Sequence, residues 1–144
     1  MRIRLALPLE AEQLAAIDAS QPMSAHWDVQ GWKGELTSAA AQVWAAEEEG
    51  NVIAFAACRL AAGFCEILNV AVLPAFCRRG IAFALLSHLL AQVRAQGGQT
   101  VTLEVNCHNG PALALYRKAG LKEMGRRKKF YHNQEDALIM GAEL

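Results

Sequence analysis

At 144 residues, with 53% hydrophobic and 19% charged side chains, the chain is long enough to bury a core and too apolar to remain a disordered segment. Its formal net charge of +0 removes the overall positive field that draws a protein onto nucleic acid. No apolar run reaches the length of a membrane span, Cys58, Cys65, Cys77 and Cys107 form no CxxC pair and no Cys/His ligand spacing, and MRIRLALPLEAEQ turns acidic too early for a signal peptide, so the expectation is one soluble cytoplasmic domain, residues 1–144, with reduced thiols and no metal.

Arg2 to Leu7 alternates basic with apolar residues, the pattern of an edge strand. Pro8 opens a helix running to about Ser20, with Leu9, Leu14, Ala15 and Ile17 as its apolar face. After the break at Gln21-Pro22, Ser24 is placed to cap a second helix through about Leu36, carrying Trp27, Trp32 and Glu35. Two tryptophans so close together are either core packing or the wall of a substrate groove. Gln42 to Glu47 and Val52 to Leu60 read as a β-hairpin turning at Glu49-Gly50-Asn51.

The stretch from Glu66 to Leu90, EILNVAVLPAFCRRGIAFALLSHLL, organises the rest. Ile67 to Leu73 is an apolar run broken only by Asn69, a buried central strand that Pro74 stops because proline cannot donate to a sheet ladder. Arg78-Arg79-Gly80 follows, and then Leu85, Leu86, Leu89, Leu90 and Val93 fall at three- and four-residue steps, one stripe of a helix ending near Ala95 before Gly97-Gly98. Strand, short basic turn, helix is an arrangement in which the unpaired N–H groups of the helix start and its dipole attract phosphate. It is also compatible with a plain connection carrying two solvated arginines.

Val101 to Val105 is the next strand, with Val101, Leu103 and Val105 on one face and Thr102, Glu104 and Asn106 on the other. Asn109-Gly110-Pro111 starts a short helix that Gly120 ends. Leu121 to Gly125 and Ala137 to Met140 close the chain as strands, giving the order β-α-α-β-β-β-α-β-α-β-β and a mixed sheet with helices on both faces. Glu104 is a single carboxylate in an otherwise apolar strand, so it is either exposed in a cleft or paired with an arginine. Tyr116 reads equally as a core residue with its hydroxyl at the rim, and Asn109 as a helix cap.

Taken together these segments resemble a known family. Val70-Ala71-Val72, Arg78-Arg79-Gly80-Ile81-Ala82 and the helix behind them look like the acetyl-CoA signature of the GCN5-related N-acetyltransferases, with Cys77 where that family has Gln or Arg. Leu103-Glu104-Val105, Asn109, Ala114-Leu115-Tyr116, Arg126-Arg127, Phe130-Tyr131 and Glu135-Asp136-Ala137 are similar, in that order, to the ribosomal-protein alanine N-acetyltransferases within it. The resemblance covers roughly Glu66 to Met140 and is thin before that, where only Trp27 and Glu35 match. It implies an α/β fold with a mixed, mostly antiparallel sheet. It further implies acetyl transfer from acetyl-CoA to a protein N-terminal α-amine, with a ribosomal protein beginning with Ala as the acceptor. Acetylation of a small amine or a lysine, or acyl-CoA binding without catalysis, are the alternatives.

By the same resemblance Glu104 is the general base, Tyr116 the general acid and Asn109 a cofactor contact. The backbone of Val70, Ala71 and Val72 pairs with pantetheine, and Arg78, Arg79, Gly80, Ile81, Ala82 and Phe83 wrap the pyrophosphate. Glu66 is the rival base, and Trp27, Trp32, Glu66 and Tyr131 are the candidates for the acceptor side. The basic run Arg126 to Lys129 is either a solvated turn or a patch that meets an acidic protein or ribosomal surface, too short for direct RNA binding. A monomer or weak dimer is expected.

Overall fold

The computed structural model describes residues 1–22, 26–128 and 135–144. Among these, seven strands form one sheet in the order β1-β2-β3-β4-β5-β7-β6. The strands are β1 Arg2–Leu5, β2 Ala41–Glu48, β3 Asn51–Ala61, β4 Phe64–Val72, β5 Thr100–Asn106, β6 Lys122–Arg127 and β7 Ala137–Glu143. The helices are α1 Ala11–Ala19, α2 Val29–Thr37, α3 Ile81–Ala95 and α4 Gly110–Lys118. The order expected from the sequence is the order adopted. β4 and β5 pair in parallel, joined by α3 as the crossover, and the other neighbours are antiparallel.

Side-chain alternation divides the core between the two faces of the sheet. Cys65 and Ile67 of β4 and Val101, Leu103 and Val105 of β5 pack with the Leu85, Leu86, Leu89 and Val93 stripe of α3 and with Leu113 and Tyr116 of α4. On the opposite face Val43, Ala45, Phe55, Ala57 and Ala71 pack with Ala11, Leu14 and Ile17 of α1 and Trp32 of α2. Being covered on both faces, β3 is apolar almost throughout, which is why its strand pattern is a run and not an alternation.

Three expectations change. Leu9 is 94% exposed and not part of an apolar helix face. Pro8–Glu10 forms a 3-10 turn in which Glu10 turns inward instead, its carboxylate accepting from Arg4 at 2.7 and 2.8 Å and from the Leu7 N–H at 2.7 Å, and α1 starts only at Ala11. The second helix is capped by Asp28, which accepts from the Gly31 N–H at 2.8 Å, and Ser24 lies outside the described residues. Trp32 is fully buried, edge-on to Trp27 at 4.8 Å and to Phe55 at 4.6 Å between ring centres, so it is core and not groove wall. Trp27, half-buried, packs against the same core.

Candidate active site

Pairing between β4 and β5 runs from Phe64–Thr100 to Ile67–Leu103 and then ends, although both strands continue. On its other edge β4 slips register against β3, with Ala57 opposite Asn69 but Cys58 opposite Ile67, so Leu68 is an inserted residue and the strand bends there. Beyond the bulge the strands part and a cleft of about 920 Å³ opens between them.

The cleft reaches both faces of the sheet. Cys65, Ile67, Leu103 and Val105 belong to the α3 core, so Glu66, Thr102 and Glu104 project to the α1/α2 face, where Gln21 and Pro22 form the rim. On the α3/α4 face the lining is Ala82 from the first turn of α3, Asn109 just before α4, and Ala112, Leu115 and Tyr116 of α4. Glu104 and Tyr116 thus line one cleft from opposite sides of the sheet.

The backbone of β4 offers polar groups to that space. The Leu73 N–H donates to the Ile53 carbonyl, so in the antiparallel alternation Leu73 and Ala71 direct their backbone groups to β3 and Val72 and Val70 direct theirs away from it. Ala71 is therefore corrected as a backbone contact for a ligand; its buried methyl packs on the α1/α2 face instead. Gln21 Nε2 donates to the Val72 carbonyl at 2.7 Å, so that carbonyl already has a partner on the cleft side of β4.

The turn before α3 is shaped for an anion. Arg78 has φ 64° and Gly80 φ 75°, both left-handed, and Gly80 is the N-cap of α3. Among the described residues the N–H groups of Arg78 to Phe83 find no backbone acceptor, and the first helical bond of this turn is from Ala84 to the Gly80 carbonyl. A row of such N–H groups at a helix start is an anion-binding concavity. A Cβ on Gly80 would touch no atom within 4 Å, so glycine is required here by backbone conformation and not by space. Arg78 and Arg79 are exposed, with the Arg79 guanidinium 5.2 Å from the Phe76 ring centre. The Lys118 ammonium lies 4.3 Å from the Phe83 ring centre and brings a further cation to the first turn of α3.

Of the acid–base candidates, Glu104 is ion-paired to Arg127 at 3.2 Å, so both readings of this carboxylate hold at once: it is in a cleft and beside an arginine. Glu66 lines the same cleft two residues back on the neighbouring strand, opposite Thr102. Tyr116 is 8% exposed and contributes to both core and cleft. Asn109 caps α4 through the Ala112 N–H at 3.3 Å and also lines the cleft. Neither Trp27 nor Trp32 lines it, and Tyr131 lies outside the described residues, as do Lys129 and Phe130. The basic run is partly neutralised, since Arg126 pairs with Asp136 at 2.9 Å as Arg127 does with Glu104.

Several residues escaped sequence reading. Gln21 on the rim comes from a segment distant in sequence, and Arg127, read along the chain only as part of a basic run, is brought beside Glu104 by the fold. Asp18 is fully buried; its signal was a carboxylate on the Leu14–Ile17 stripe of α1. Folding also brings Cys107, His108 and Glu135 together, their donor atoms within 4.8 Å of one another, a set that could hold a borderline metal ion although no ligand spacing is legible along the chain.

The sequence pattern of the acetyltransferase (GNAT) family matches residues 8–121. The chain belongs to this family. It is 35% identical over 96 residues to the ribosomal protein bS18 alanine N-acetyltransferase of Escherichia coli strain K12, a match spanning 65% of this chain and 65% of that protein. It is 38% identical over 101 residues to the enzyme of the same name from Haemophilus ducreyi, spanning 67% of this chain and 70% of that one. The crystal structure of the Escherichia coli ribosomal-protein-S18-alanine N-acetyltransferase superposes with a TM-score of 0.89 at 26% identity over 99% of this chain and 92% of that chain. Among the described residues no helix is long and apolar enough to cross a membrane.

Proposed function

We propose that this GNAT protein transfers the acetyl group of acetyl-CoA to the N-terminal α-amine of a protein, a ribosomal protein beginning with alanine being the acceptor that its relatives favour. The parting of β4 and β5 carries this reading, because it opens one cleft with a carboxylate on one face of the sheet and a tyrosine on the other. The diphosphate of the cosubstrate sits on the amides of residues 78–83, and its pantetheine arm runs along Val70 and Val72 as an added strand. This brings the thioester into the gap from the α3/α4 face and leaves the α1/α2 face for the amine.

The amine must be neutral to attack. An α-amino group with a pKa near 8 is ~10% neutral at pH 7, whereas a lysine near 10.4 costs roughly 3 kcal/mol more to deprotonate. A single carboxylate, acting directly or through one water, is matched to the α-amine. Glu104 takes the proton as nitrogen attacks the thioester carbonyl, with Glu66 as the second carboxylate able to do so. As the tetrahedral intermediate collapses the C–S bond breaks and the thiolate accepts the Tyr116 phenolic proton. Acyl transfer is direct, in a ternary complex; Cys77, exposed at the turn, is not an acyl carrier in this scheme.

Incubation with acetyl-CoA and a panel of N-terminal peptides tests the reading. Acetylation of an Ala-starting peptide, abolished when its N-terminus is blocked, is the expected result. Modification of the blocked peptide at a lysine would favour the lysine alternative, and CoA binding without turnover on any amine a non-catalytic module.

A further inference from the structure

The α1/α2 rim of the cleft is held by one carboxylate. Asp18, fully buried near the end of α1, accepts from the His26 N–H at 3.0 Å and the Asn69 Nδ2 at 2.9 Å on one oxygen, and from the Trp27 N–H at 2.8 Å on the other. It therefore joins three pieces that sequence keeps apart: the helix that ends before Gln21-Pro22, the backbone leading into α2, and the strand residue next to the Leu68 bulge. Asn69 is itself buried and lines the cleft, and Gln21 adds the second tie from this rim to β4 through the Val72 carbonyl.

This arrangement is more than packing. A carboxylate accepts on both oxygens without offering a proton, so two backbone N–H groups and an amide N–H can converge on it; an amide there would turn one NH₂ against a donor. The tie also lies on the face opposite the diphosphate turn, among the groups that would border an incoming amine.

We infer that Asp18 is a positioning residue for the acceptor, fixing the Gln21–Pro22 rim and Asn69 relative to Glu104 so that the amine enters in line with the thioester. This inference rests on the acetyl-transfer reading. Charge-assisted hydrogen bonds are the strong ones, so their loss should move the rim and not only soften it.

The test is steady-state kinetics of purified Asp18→Asn and Asn69→Ala with acetyl-CoA and the acceptor peptide that wild type uses, beside CoA titration and thermal melting of each. Asn69→Ala spares both backbone contacts of Asp18, so it remains informative where Asp18→Asn folds poorly. The expected result for both is an acceptor KM raised about tenfold, with kcat within about threefold and CoA affinity within about twofold of wild type per folded molecule. The double variant should be no worse than Asp18→Asn alone, since the two residues act as a unit. An unchanged acceptor KM, or KM, kcat and CoA affinity deteriorating together, would overturn the assignment. Absence of turnover by wild type on every peptide would instead overturn the acetyl-transfer reading itself.

Discussion

Single side chains divide here into those whose role their neighbours define and those defined by what the cleft admits. Glu104 sits on the strand face opposite the apolar Leu103 and Val105, beside Arg127, and Tyr116 enters from the other face of the sheet. Replacing Glu104 by Gln keeps its shape and removes its ability to take a proton; replacing Tyr116 by Phe removes the proton it would give to the thiolate. Each is expected to lower kcat by about 100-fold or more while CoA affinity stays within a few fold, read from turnover and from calorimetric titration. A matching loss of CoA affinity would point to a binding role for either residue. At this scale the sequence was ambiguous for a physical reason: an isolated carboxylate in a strand and a tyrosine in a helix have the same local signature in a core rim as in an active site.

At the scale of elements, the strand–turn–helix from β4 to α3 holds the most information in the fewest residues. Pro74 ends β4, Gly80 provides the left-handed N-cap, and the three- and four-residue spacing of leucines seats α3 on the sheet, so the element was legible along the chain. Gly80→Ala isolates the contribution of backbone conformation, because its Cβ meets no atom within 4 Å. Holding alanine at a left-handed φ costs about 1–2 kcal/mol, and the turn can relax when no ligand fixes it. The expected outcome is CoA affinity reduced about tenfold with little change in melting temperature, measured by titration and calorimetry. What the chain did not announce is the bulge at Leu68. An inserted residue in a buried apolar strand leaves the composition of the strand unchanged, and only its partners on β3 reveal it.

Taken whole, the molecule is a sheet covered on both faces, and its edge is tied down by charge. Arg4 on edge strand β1 grips Glu10 in the turn before α1 and also meets Glu47 of β2 at 3.4 Å. The Arg4 hydrogen bond, with the Leu7 N–H, holds the Glu10 carboxyl below the usual range. A carboxyl lowered in the folded state stabilises above its unfolded pKa, about 4.3, and loses that contribution as pH falls through the lower folded value. Glu10→Gln should therefore cost about 1 kcal/mol at pH 7, with the gap from wild type narrowing below about pH 4, as urea unfolding at several pH values would show. The element order, the α3 stripe and the strand–turn–helix around Gly80 were legible in the sequence alone, because each depends on the period of apolar residues or on proline and glycine nearby, whereas the mostly antiparallel α/β architecture followed from the family resemblance. Tertiary structure alone decided that Trp32 is core, that Ala71 turns its backbone to β3, and that Asp18, Gln21 and Asn69 meet at one rim. Those outcomes depend on which strands pair and where pairing stops, contacts between residues as far as 51 positions apart that no local pattern encodes.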